Sequence, residues 1–105
     1  MRNYLVLAIA QDIQRLSAER FEAARISIIV CPTTEHLPST VDSDALVIAI
    51  SSNSMGSTAY QELVLTALKR ISPNTPKWLL MLDHVQIPLG FAAIRQLPEL
   101  HLREA

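Results

Sequence analysis

Four short runs of apolar residues alternate along the chain with longer mixed segments. Tyr4–Ala10 (YLVLAIA), Ile26–Cys31 (ISIIVC), Ala45–Ser51 (ALVIAIS) and Trp78–Leu82 (WLLML) are apolar almost without interruption. That pattern suits strands covered on both faces, because a strand with one wet face alternates apolar and polar residues. Between the first two runs, Gln11–Arg25 places Ile13, Leu16, Phe21 and Ala24 near one face of a helix. The strongest helical signal lies between the third and fourth runs. There Tyr60, Leu63, Val64, Ala67, Leu68 and Ile71 share one stripe, and Pro73 and Pro76 end it.

The remaining segments carry weaker signals. Thr33–Asp44 is polar, contains Pro38 and has only Leu37 and Val41 as apolar residues, so no full helix is expected there. Asp83–Pro88 reads as a loop, Leu89–Leu97 as a short helix and Glu99–Leu102 as a weak edge strand. In Leu89–Leu97 the residues Phe91, Ile94 and Leu97 share a face, suited to packing or to an exposed partner surface.

Apolar strands that alternate with helices imply a parallel sheet with helices on both sides. With right-handed crossovers, the fold class expected is α/β, a small flavodoxin-like three-layer sandwich with strand order 2-1-3-4 and a fifth strand at the edge. The 105 residues make one domain with a single core. The ending HLREA, just after a weak strand, suggests the N-terminal part of a larger protein.

Composition narrows the function classes. Only 18% of residues are charged and half are hydrophobic, which excludes a disordered chain. A formal charge of −1 without a Lys/Arg cluster argues against a nucleic-acid partner. The first apolar run is too short for a membrane span, so no membrane partner is expected. One cysteine, Cys31, forms no internal disulfide, and a reducing cytoplasmic setting is the default. His36 and His101 lack partners at ligand spacing, so no metal is expected. With only two glycines, a glycine-rich phosphate cradle is disfavoured.

In a sheet of this order, ligands bind beyond the carboxyl ends of the strands, where strand order reverses between the first and third. Gln11-Asp12 and Ser51–Ser57 meet at that point, with Asp83-His84 beside them. The stretch Ser51–Leu63 (SSNSMGSTAYQEL) therefore lies at the one crevice that topology predicts. Thr58 and Gln61 have capping-box spacing, and Ser57 is an equally good cap. Glu62 falls near the positive end of the helix dipole and nearly opposite the core stripe, so it faces outward.

The segment from Asp44 to Pro88 resembles a TIR domain, of the Toll/interleukin-1 receptor superfamily. The resemblance is carried by Asp44 before an apolar strand ending in Ser51, then Ser57, Tyr60, Glu62-Leu63 and Ile87-Pro88, with Tyr4–Asp12 as a fainter echo of the family's first strand. It implies a signalling or defence domain that acts by self-association or by binding a larger signalling protein. In catalytic members it implies that Glu62 acts on NAD, stabilising the positive ribose as nicotinamide leaves. Gln11, Asp12, Ser51, Ser54 and Ser57 would then contact the nucleotide, with NAD as substrate and no cofactor required. The chain departs from the family in its short Thr33–Asp44 segment, in Ala59-Tyr60 where Trp-Cys is usual, in a Ser57-to-Glu62 spacing one residue short, and in having no aromatic residue near Gln11. The resemblance thus points to an abbreviated member, whether a binding domain or an NAD-cleaving enzyme.

Other readings stand beside it. A degenerate receiver of response-regulator type shares the fold, but strand three ends in Ala49-Ile50-Ser51 where a phosphorylated aspartate is needed. Asp83 and His84 could form an acid–base pair, although adjacent loop residues usually point apart. Cys31 and Trp78 read as packed residues. Gln11-Asp12 reads first as a helix cap.

Overall fold

The computed structural model describes residues 2–16, 18–87, 91 and 94–96, without the side chains of residues 18–20, 95 and 96. Five parallel strands form one sheet: β1 (Arg2–Leu7), β2 (Ile26–Cys31), β3 (Ala45–Ile50), β4 (Lys77–Met81) and β5 (Arg95–Gln96). Their order is β2-β1-β3-β4-β5, so the order reverses between β1 and β3, as expected.

Strict alternation along the strands divides the core into two layers. Leu5, Leu7, Leu46, Ile48, Ile50 and Leu79 point to one face. There they meet Tyr60, Leu63, Val64 and Ala67 of the helix α3 (Thr58–Arg70). Tyr4, Val6, Ala8, Ala45, Val47 and Ala49 point to the other face. Leu16, Phe21 and Ala24 cover them, the last two at the helix α1 (Ala18–Ala23). All six residues of β3 are buried because it lies between neighbours and beneath helices on both faces.

Two expected elements take a different form. The helix over Gln11–Arg25 divides into a 3-10 segment, Ala10–Arg15, and the short α1. The tighter winding turns Asp12 inward and leaves Ile13 exposed, although helical periodicity places Ile13 on the core face. Within the helix expected over Leu89–Leu97, Arg95–Gln96 instead pairs with Trp78–Leu79 as β5, and Phe91 is buried in the α3-side core. The strand expected over Glu99–Leu102 lies outside the described residues.

Thr33–Asp44 contains only a single 3-10 turn, Thr34–His36, in place of a helix. It is tied to the end of α3 instead. Val41 N–H donates to Arg70 O at 3.2 Å, and Arg70 Nη1 donates to the carbonyls of Leu37 and Pro38. With no helix in this connection, the α3 face of β2 stays partly bare, and Ile29 is 65% exposed.

Candidate functional site

The carboxyl ends of β1, β3 and β4 carry the polar residues that the sequence singled out. Ser51, directly after β3, caps a short helix α2 (Ser52–Met55). Its hydroxyl accepts from Ser54 N–H at 3.0 Å, and Ser54 Oγ accepts from Ser51 N–H at 2.8 Å. This reciprocal capping satisfies donors at the start of a helix, and it buries both serines completely. The Ser51 hydroxyl proton is therefore free to go elsewhere. It is donated to Asp12 Oδ2 at 2.6 Å.

Asp12 is the most deeply buried acid among the described residues, only 1% exposed. Its second oxygen, Oδ1, has no hydrogen-bond partner and lies 3.7 Å from Arg15 Nη1. A buried carboxylate is costly unless charge and hydrogen bonds offset it. Ser51 and Arg15 are the two groups that do so here. The expected helix-cap role of Gln11-Asp12 is not realised, because the 3-10 segment starts without a side-chain cap and Asp12 turns across to Ser51. Gln11 is exposed and stands apart from this cluster.

Arg15 closes the other side. Its guanidinium grips both oxygens of Asp83, at 3.1 and 2.5 Å, and donates to Leu82 O at 2.7 Å. Asp83 also accepts from the backbone N–H and the hydroxyl of Ser52, at 2.9 and 2.8 Å. These donors, Arg15 first, hold the Asp83 carboxyl well below the usual carboxylate range. Asp83 is thus committed to a clasp between the loops after β1, β3 and β4. His84, exposed beside it, is not its hydrogen-bond partner, so the acid–base pair is not formed.

The clasp gives a pH signature. Asp83's folded value lies below its unfolded value of about 4, so its stabilisation is fully present above about pH 4 and is lost as pH falls through the folded value. Melting temperature measured from about pH 7 to pH 2 should therefore fall less steeply in acid for Asp83→Asn than for the parent. Both partners are partly exposed, so about 1 M salt should weaken the effect. Equal acid slopes in parent and variant would show that the clasp adds nothing.

Beneath this network, the Tyr60 hydroxyl reaches between the first and third strands. It lies 2.8 Å from Leu7 O and 2.5 Å from Ala49 O. Leu7 is the last β1 residue paired with β3, opposite Ile48, and Ala49 follows, so the two carbonyls lie at the fork where the order reverses. The phenol occupies that fork, and its single O–H proton is shared between the two carbonyls. Burial, aided by the Asp12 charge, pushes its pKa well above the ordinary value, so it remains a donor at physiological pH.

The predicted site residues thus fall into four groups, with exposed Gln11 standing alone. Asp12, Ser51 and Ser54 are brought together, but as a buried internal network. Ser57 caps α3 by accepting from Tyr60 N–H at 3.1 Å, so the capping box expected from Thr58 and Gln61 is not formed; Gln61 Nε2 instead faces Met55 O. Glu62 points outward and is exposed, as the helical count required. Among the described residues its carboxylate has no hydrogen-bond partner; its backbone carbonyl accepts from Thr66.

Arg15 and Ser52 were missed as site residues. Their only sequence signal was their position beside Asp12 and Ser51. Cys31 is buried, donates to Thr33 O and has its thiol pKa raised by burial, consistent with packing. Trp78 packs partly buried against the α1-side core. His36 Nδ1 bonds to the Thr33 hydroxyl at 2.6 Å.

Chemically, the network can lock loops but cannot readily reach a substrate, since Asp12, Ser51 and Ser54 are shut away from solvent. A small pocket of about 100 Å³ lies elsewhere, under the β2–β3 connection, with Leu5, Ile29, His36, Pro38 and Val41 in its lining. Among the described residues no cluster of three His, Cys, Asp or Glu could hold a metal ion, and no helix is long and apolar enough to cross a membrane. No protein-family model, curated protein or solved structure matches the chain.

Proposed function

We propose that this chain is a TIR-like signalling or defence domain that works by association, with itself or with a larger protein, and not by chemistry at its sheet crevice. One observation carries the reading: the fork between β1 and β3 is filled from within by the Tyr60 hydroxyl and roofed by the Asp12–Ser51 and Arg15–Asp83 contacts. A nucleotide there would have to displace hydrogen bonds that hold the fold together. Glu62, the residue that resemblance would make catalytic, stands on an exposed helix face without a positioning partner among the described residues. An oxocarbenium-stabilising carboxylate needs to be held close to the reacting centre.

Two measurements test the reading together. Sedimentation velocity over a wide concentration range should reveal self-association, or a pull-down should return a defined protein partner. Nicotinamide release from NAD should stay at background for wild type and for Glu62→Ala, even at high protein concentration. Turnover by wild type that disappears in Glu62→Ala would replace this proposal with an NAD-cleaving hydrolase.

A further inference from the structure

β2 is an edge strand, and among the described residues its outer side carries none of the features that usually protect one. Ile26–Cys31 contains no charged residue and no proline, and it pairs with β1 over six residues without a bulge. Arg2 N–H donates to Arg25 O, and Ala8 N–H donates to Cys31 O. In a parallel ladder, alternate residues direct both backbone groups to the same side. The odd-numbered residues of β2 therefore bond inward to β1. Ile26, Ile28 and Val30 present their N–H and C=O groups outward, and among the described residues no strand pairs with them.

We infer that a second copy of this chain pairs antiparallel along this edge about a two-fold axis, with Ile29 against its own counterpart. This rests on the association reading above and names its surface. In that arrangement Ile28 of each copy lies opposite the second copy's Val30, and both are outward-bonding residues, so the two exchange both hydrogen bonds. A shift by one residue would set outward-bonding residues against inward-bonding ones, and the ladder would fail. Every directly opposed pair at the centre is then β-branched on β-branched, a favourable cross-strand combination. Ile29, the most exposed of the described large apolar residues, becomes covered. It also forms one wall of the small pocket under the β2–β3 connection, so apolar surface continues inward from the edge.

Charge selects the direction of pairing. Arg25 precedes β2 and Glu35 follows it, and both are exposed. Antiparallel pairing brings each arginine toward the opposite copy's glutamate, whereas parallel pairing would set like charges together. Arg25 also stands at φ 60°, a left-handed conformation that glycine adopts at less cost. An arginine kept at a strained position beside an open edge is consistent with a role for its charge.

Sedimentation velocity on the full chain, with three variants, tests the arrangement. Wild type should form a dimer. Ile29→Lys should raise its dissociation constant at least about 10-fold, because two lysines would meet on the axis. Arg25→Gly should weaken the dimer while leaving the monomer at least as thermally stable. Ile29→Cys should give a disulfide-linked dimer on mild oxidation, since directly opposed residues lie about 4.5 Å apart between Cα atoms, within disulfide range. Circular dichroism confirms that each variant is folded. A dimer that survives Ile29→Lys and does not cross-link through Ile29→Cys overturns this surface and leaves association elsewhere. A wild type that stays monomeric while binding a defined larger protein overturns the self-pairing alone. Neither dimer nor partner removes both this inference and the reading beneath it.

Discussion

Tyr60→Phe is expected to destabilise the domain by about 1–3 kcal/mol, the cost of removing a buried hydrogen bond and leaving its acceptor under-satisfied. Phenylalanine keeps the ring and its packing against the α3-side core, so the variant isolates the hydroxyl. The hydroxyl serves Leu7 O and Ala49 O where β1 and β3 part, and both residues are fully buried. In a domain of this size each kcal/mol moves the melting temperature by about 4–8 °C. Thermal denaturation should therefore show a fall of about 4 °C or more. Tyr60→Ala removes the ring as well, a loss of about 3–5 kcal/mol in its own right. Against a typical total of about 5–15 kcal/mol, that variant should approach unfolding at ambient temperature. If Tyr60→Phe melts with the parent, the hydroxyl is not holding the fork, and the crevice is open to the ligand that topology would place there.

The second large effect is expected at Ser51. Ser51→Ala removes the donor to the Asp12 carboxylate and the acceptor that caps α2 in one step. A hydrogen bond to a charged group is worth about 1.5–3 kcal/mol and a helix cap about 1 kcal/mol, so a combined loss of about 2–4 kcal/mol follows. Much of it arises because Asp12 stays buried with only the more distant Arg15 to offset its charge. That mechanism predicts coupling. In a double-mutant cycle with Asp12→Ala, measured by urea denaturation, the two losses should fall short of additivity by at least about 0.5 kcal/mol. Additive losses would mean that the 2.6 Å contact has no energetic content.

These two residues mark where sequence reading succeeded and where it stopped. Tyr60 was placed correctly on the core stripe of α3, because a 3.6-residue period reports which side of a helix is buried. Nothing in that period reveals that its hydroxyl ends at carbonyls 53 and 11 residues away. Ser51 and Asp12 were placed at the crevice by topology alone. Their contact, across 39 residues, converts an expected binding surface into an internal tie. Ile13, expected on the core face of an α-helix, is exposed because the chain winds there as a 3-10 turn.

The sequence by itself determined the layers of this protein. Uninterrupted apolar runs require strands buried on both faces, and their alternation with helical segments leads to a parallel sheet with the order β2-β1-β3-β4. It also determined that Ser57 can cap α3 and that Glu62 faces outward, since capping and helical phase are local properties. Only the tertiary structure decided what the crevice holds and which edge is left unpaired among the described residues. Polar contacts such as Arg15 with Asp83 join residues 68 positions apart, and no local pattern encodes their pairing. The outer side of β2, unpaired among the described residues, likewise follows only from strand order and ladder direction, because an apolar run reads the same in the middle of a sheet as at its edge.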